Sequence, residues 1–132
     1  MPSKIYLTSP DGSTLWTFEA DANISIESIN IDKNGNFYFV DDAKKLYVLS
    51  NDGIILWSIT DERFNKWATF HLTFSPDGNT LYIPGSTVTV LALDINTRTI
   101  LWTFGDERLK TNAMVDSDGN IYTLVNSGQR LN

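Results

Sequence analysis

One short phrase is written three times along this chain. The residues IYLTSPDGSTLW (5–16), LYVLSNDGIILW (46–57) and LALDINTRTILW (91–102) share a plan: an apolar run, a polar turn, and a second run closing on Leu-Trp. The three tryptophans, Trp16, Trp57 and Trp102, stand 41 and 45 residues apart. A second marker, the turn glycines Gly35, Gly78 and Gly119, recurs at spacings of 43 and 41. Two independent markers with one period of about 40 residues impose a repeated supersecondary unit, whose apolar face is buried only by stacking on its neighbours.

The unit is built from strands. Its apolar stretches are short, alternating or β-branched, and rich in Val, Ile, Tyr, Phe and Thr, as in Phe37-Tyr38-Phe39-Val40, Leu46-Tyr47-Val48-Leu49 and Ile121-Tyr122-Thr123-Leu124-Val125. Period two with such residues reads as strand. Between them sit Asp11-Gly12, Asn34-Gly35, Asp52-Gly53, Asp77-Gly78 and Asp118-Gly119, dipeptides that supply positive φ to tight turns at little steric cost. The class is all-β. In the second unit four strands are expected, a (54–59), b (70–75), c (80–84) and d (87–94). Four strands at this period are the signature of a β-propeller blade.

The residues ALDINTRTILW (92–102) resemble the tryptophan-docking motif of the quinoprotein, or PQQ-like, repeat family: Ala92, Asp94, Thr97 and Trp102 match, and Arg98 stands where that family has glycine. The other two copies keep the glycine (Gly12, Gly53), shorten the turn by one residue and replace the Asp with Ser9 or Ser50. The resemblance implies that Trp16, Trp57 and Trp102 dock neighbouring blades. An indole wedged between blades buries on the order of 200 Å². For Arg98 a changed turn type is the first expectation and a funnel-facing contact the second. VDSDGNIY (115–122) also resembles NHL-type blades, and FSPDGNTLYI (74–83) the YVTN and WD40-like kinds.

Aligned on its repeats, the chain divides into a lone strand d at 4–9, blade units at 12–50 and 53–94, and a last unit at 98–132 lacking its d strand. That is three blades' worth, and natural propellers close with about four to eight. Two copies joined head to tail give six blades, each N-terminal d strand completing the other chain's last blade. A strand-exchanged homodimer is therefore expected, since two-fold closure by exchange is a low-cost route to an oligomer. The alternative is a cut from a longer propeller.

Composition narrows the partners. The net charge of −6 argues against nucleic acid, whose phosphates need a positive field. No run approaches the roughly 18 apolar residues of a membrane span, and the N-terminal residues lack the apolar core of a signal peptide. A soluble chain without a membrane partner is expected; its compartment is not specified. The absence of cysteine removes disulfides, thiolate metal sites and Cys nucleophiles.

Candidate chemistry lies on the loops. Asp116-Ser117-Asp118-Gly119-Asn120 has a spacing that can seat Ca²⁺, but lacks the further carboxylate such a loop uses, so a hairpin turn is the preferred reading. The tripeptide Asp61-Glu62-Arg63 recurs as Asp106-Glu107-Arg108, each four residues after its Trp. Arg63 and Arg108 are candidate ligands for a carboxylate or phosphate, because the guanidinium fork suits such anions; exposed ion pairs capping strand ends are the plainer expectation. Trp67, outside the repeat and in the longest loop, is a candidate surface contact. His71 is the only histidine, and a zinc or triad site needs more partners than that.

These features point to a non-catalytic propeller scaffold or binding module, taking a protein, peptide or glycan at the loop face or central funnel, with no cofactor. The alternative is a propeller enzyme of the lactonase or hydrolase kind with a metal in the funnel. The residues expected on the inner strand, Thr14, Thr17, Ile55, Ser58, Ile100 and Thr103, are apolar or hydroxylic rather than acidic, which disfavours it.

Overall fold

A computed structural model of the chain describes residues 4–20, 29–64, 72–107, 109 and 113–125. Among them are twelve strands: β1 (Lys4–Thr8), β2 (Thr14–Glu19), β3 (Asn30–Ile31), β4 (Phe37–Val40), β5 (Lys45–Leu49), β6 (Ile55–Thr60), β7 (Thr73–Phe74), β8 (Thr80–Pro84), β9 (Val90–Asp94), β10 (Thr99–Phe104), β11 (Met114–Val115) and β12 (Ile121–Tyr122). No helix occurs among the described residues, and the all-β expectation holds.

The strands form two complete antiparallel sheets, β3-β4-β5-β6 and β7-β8-β9-β10, flanked by the two-stranded sheets β1-β2 and β11-β12. Each complete sheet is the four-stranded meander of a propeller blade. Its phase differs from the sequence units. The complete sheets span Asn30 to Thr60 and Thr73 to Phe104, not 12–50 and 53–94. The reason lies in the turns. Those carrying Gly12, Gly53 and Arg98 are tight hairpins that pair the strands on either side, with Leu7 opposite Trp16, Val48 opposite Trp57 and Ala92 opposite Trp102. The phrase that opens each repeat thus lies inside one sheet and is not the join between two. The N-terminal strand is likewise not alone, since β1 pairs with β2.

The sheets stack face on face, and the pleat divides the apolar residues between interfaces. Phe39, Tyr47 and Leu49 face β1-β2, packing with Ile5, Trp16 and Phe18. Their neighbours Tyr38, Val40, Leu46 and Val48 face the opposite way, against Leu81, Ile83, Leu91 and Leu93. Tyr82, Val90 and Ala92 then meet Val115 and Ile121. The middle strands are covered on both sides, so β4, β5, β8 and β9 are buried almost throughout, whereas β2 and β6 alternate. Burying apolar surface on both faces at about 25 cal/mol per Å² is the main force holding such a stack together.

The sheets converge along one edge. Asn30 Nδ2 donates to Leu72 O, beside β7, and Thr73 Oγ1 donates to Ala113 O at 3.2 Å. The short strands β3, β7 and β11 therefore form the gathered side of the fan, and β6 and β10, with Trp57 and Trp102, occupy the opposite sheet edges. This corrects the placement of Thr14, Thr17, Ile55, Ser58, Ile100 and Thr103 on an inner strand: they lie on β2, β6 and β10. The connections after β2, β6 and β10 each link one sheet to the next.

Candidate functional site

Three places in the fold gather polar or aromatic chemistry: the face carrying the strand turns, the opposite loop face, and a groove beside Trp102.

The turn face is built from self-contained aspartate turns. Asp32 Oδ1 accepts from the N–H groups of Asn34 (2.8 Å) and Asn36 (3.0 Å), and its Oδ2 from the Tyr38 hydroxyl (3.1 Å). Asp116 repeats the pattern with Asp118 N and Asn120 N, both at 2.9 Å, and with the Tyr122 hydroxyl at 3.0 Å. These bonds, led by the Asn120 N–H, hold the Asp116 carboxyl below its ordinary pKa. Both carboxylate oxygens of Asp116 are thus engaged by the turn itself, which is the hairpin reading of 116–120. Asp11, on the β1-β2 turn, is pulled down to about 2, first by the Ser9 hydroxyl and then by Ser13. Neighbouring turns touch: Lys33 Nζ donates to Asp77 O at 3.3 Å, and Asn96 Nδ2 to Asn79 Oδ1 at 3.3 Å.

On the opposite face Arg63 folds back on Asp61 in a two-pronged pair, Nε to Oδ1 at 2.9 Å and Nη2 to Oδ2 at 2.7 Å. The guanidinium bonds depress the Asp61 carboxyl. The Arg63 carbonyl accepts from Ser86 N at 2.8 Å, tying this loop to the next sheet. Arg63 therefore caps a strand end. Arg108, its expected counterpart, lies outside the described residues, as do Trp67 and His71. In the second copy of the tripeptide, the backbone of Glu107 exchanges hydrogen bonds with the Thr89 hydroxyl at 2.5 and 3.3 Å. Among the described residues no three His, Asp or Glu side chains are grouped to hold a metal ion.

The tryptophans do different things. Trp16 lies on the β5-β6 turn of the next sheet. Its Nε1 donates to Asn51 O at 2.8 Å, and a Cβ added at Gly53 would meet Trp16 Cδ2 at 2.6 Å. Trp57 is covered in the corresponding way by the β9-β10 turn, with the Arg98 guanidinium 5.2 Å from its ring centre. Arg98 has φ +62, the same left-handed region as Gly53 at +82 and Gly12 at +93. The turn is of a different type, as expected: its closing bond runs from Arg98 N to Asp94 O, four residues back, whereas Gly12 N and Gly53 N reach back three, to Ser9 O and Ser50 O. The arginine keeps the glycine's left-handed φ and adds a cation–π contact. Trp102 touches Tyr82 of its own sheet, with ring centres 6.0 Å apart, and is 42% exposed.

Beside Trp102 opens a groove of about 490 Å³, lined by Val90, Trp102, Phe104, Gly119, Ile121 and Thr123 among others. Of the lining, the sequence pointed to Trp102 as a docking residue, to Thr103 as an inner-strand residue and to Gly119 and Asn120 within the 116–120 turn. Phe104, exposed at 57%, and Ile121 were missed as site residues because nothing in their strands separates them from core residues.

No family model matches the chain, and no curated protein matches it. Solved structures do. BamB from Moraxella catarrhalis superposes with a TM-score of 0.64 at 19% identity, over 86% of this chain and 34% of that one. A Bacteroides caccae protein of unknown function superposes with a TM-score of 0.58 at 16% identity, over 88% of this chain and 44% of that one. Likeness at these identities shows the fold, and it supports a β-propeller relationship. The chain spans between a third and a half of the length of these two proteins.

Proposed function

We propose that this chain is a non-catalytic β-propeller scaffold or binding module that assembles with a second copy of itself into a six-bladed ring and engages a protein, peptide or glycan through its loop faces or central funnel. The observation that carries this reading is the apolar surface left on the end sheets. Tyr6 and Leu15 are 60% and 61% exposed on β1-β2, Met114, Tyr122 and Leu124 are 65%, 59% and 53% exposed at β11-β12, and Leu101, Trp102 and Phe104 are exposed on β10. Apolar side chains gathered at the ends of a sheet stack mark surfaces that other protein covers. The loop-face carboxylates and Arg63, by contrast, are occupied by their own turns, which favours a framework role for those residues.

Light scattering of the purified chain tests the assembly. A mass about twice 14.9 kDa is expected, and a monomer at every concentration overturns it.

A further inference from the structure

The two internal seams of the stack follow one rule, and the chain carries the two unmatched halves of a third. At the first seam the indole of Trp16 sits on the turn that bears Gly53. At the second, Trp57 sits under Arg98, in the equivalent position of the next turn. Trp102 has the same place in β10, opposite Ala92 as Trp57 is opposite Val48, but among the described residues no turn covers it. Conversely Gly12 has φ +93 in the β1-β2 turn and no described atom within 4 Å of the position a Cβ would take. One indole lacks a turn, and one turn lacks an indole.

The strands beneath are complementary in the same sense. β11-β12 pairs as β3-β4 does, Met114 with Tyr122 as Asn30 with Tyr38. β1-β2 pairs as β5-β6 does, Leu7 with Trp16 as Val48 with Trp57. One hairpin is the first half of a blade and the other the second half. Both present an unpaired edge among the described residues, at β12 and at β1. Unpaired edges with apolar flanks are templates for strand addition.

We propose that the hairpin β1-β2 of a second copy adds to β12, completing a four-stranded blade and seating Gly12 of that copy on Trp102. This rests on the self-assembly reading above and deepens it, because it names the surfaces and the register. In the complete blade Phe37 lies opposite Leu49 and Phe39 opposite Tyr47. By the same register Ile121 lies opposite Thr8 of the second copy, and Thr123 opposite Tyr6. Tyr6 then enters the groove lined by Val90, Trp102, Phe104 and Ile121, on the face where Tyr47 packs in the internal blade. Tyr122 and Leu124 turn to the other face and join Ile5 and Leu7 of the second copy, as Tyr38 and Val40 join Leu46 and Val48. The Pro10 carbonyl stands where that of Asn51 accepts the Trp16 indole N–H, so proline there keeps the one group the seam uses. Three blades are fewer than the roughly four to eight of a natural ring, so these three do not close on themselves. The unit exchanged is a hairpin rather than the single strand the sequence units implied.

Cysteine cross-linking tests the register directly, because the chain has no cysteine of its own. A Thr8→Cys chain is mixed with an Ile121→Cys chain under mild oxidation. A covalent pair containing one of each is expected, while either variant alone stays uncross-linked. Trp102→Ala should move the midpoint of dimer dissociation to at least tenfold higher protein concentration, with the strand signal in circular dichroism retained. A dimer that cross-links only between identical variants, or whose dissociation is untouched by Trp102→Ala, overturns the seam and leaves self-assembly standing. A chain monomeric at every concentration overturns both.

Discussion

The indole nitrogen of Trp16 donates to the backbone carbonyl of Asn51 at 2.8 Å, across an interval of 35 residues and from one sheet to the next. The ring also lies against Phe37, tilted at 44° with centres 5.6 Å apart. The contact joins the end of one repeat phrase to the turn of the following one, and its tightness is set by Gly53 beneath it.

Gly53→Ala should therefore be costly. The new methyl would meet Trp16 at 2.6 Å, and the backbone holds φ +82. A left-handed non-glycine residue costs about 1–2 kcal/mol and forced overpacking about 1–3. Urea unfolding is expected to show a loss of about 3 kcal/mol, with Trp16 fluorescence shifted toward that of exposed indole.

Arg98 makes the opposite case. Its φ of +62 is strained for arginine, and its guanidinium covers Trp57. Arg98→Gly relieves the backbone and removes a contact worth about 0.5–1 kcal/mol at an exposed site. The two effects nearly cancel, so stability should change by less than about 1 kcal/mol. Arg98→Val loses the contact and adds a β-branched side chain at positive φ, and should cost about 2–3 kcal/mol by thermal or urea unfolding.

Asp41 is fully buried, and its Oδ1 accepts from the N–H groups of Ala43 at 2.9 Å and Lys45 at 3.1 Å, closing the β4-β5 turn. Asp41→Ala leaves both donors without that acceptor. A loss of about 1–3 kcal/mol is expected in chemical unfolding, the cost of stranding buried polar groups.

Acid and alkaline limits follow from opposite shifts. Asp11, Asp61, Asp77 and Asp116 all have carboxyls held below the ordinary value of 3.8 in the folded chain. Their contribution is complete above the unfolded pKa and is lost as the pH falls through the folded one, Asp11 reaching down to about 2. Tyr38 and Tyr82, raised first by burial, and Tyr122, raised by its hydrogen bond to Asp116, behave conversely. Their contribution is complete below the ordinary value of 10.0 and declines as the pH rises above it. The urea midpoint should be level between about pH 5 and 9 and fall on both sides.

Strand identity was legible residue by residue. Leu46-Tyr47-Val48-Leu49 and Thr80-Leu81-Tyr82-Ile83 are short runs rich in aromatic and aliphatic strand formers, in a chain punctuated by Asp-Gly and Asn-Gly turns, and local chemistry is enough to form β5 and β8. The repeat period was legible too, because each Trp stands at the same place in its strand. The sheet boundaries were not. A turn between strands reads alike whether the strands pair or part, and repeat alignment has no origin. The longer connections, such as the one after Thr60, carried the missing signal.

Local patterning thus dictated an all-β repeat with one tryptophan at the same place in each unit, since side-chain patterning and turn chemistry act over a few residues. Tertiary packing alone decided which strands share a sheet, because that depends on contacts made across tens of residues. It also decided that Arg98 adopts a glycine's backbone to cover Trp57. Finally, it separated three tryptophans that look equivalent in sequence: a turn of the next sheet covers Trp16 and Trp57, and among the described residues no such turn covers Trp102.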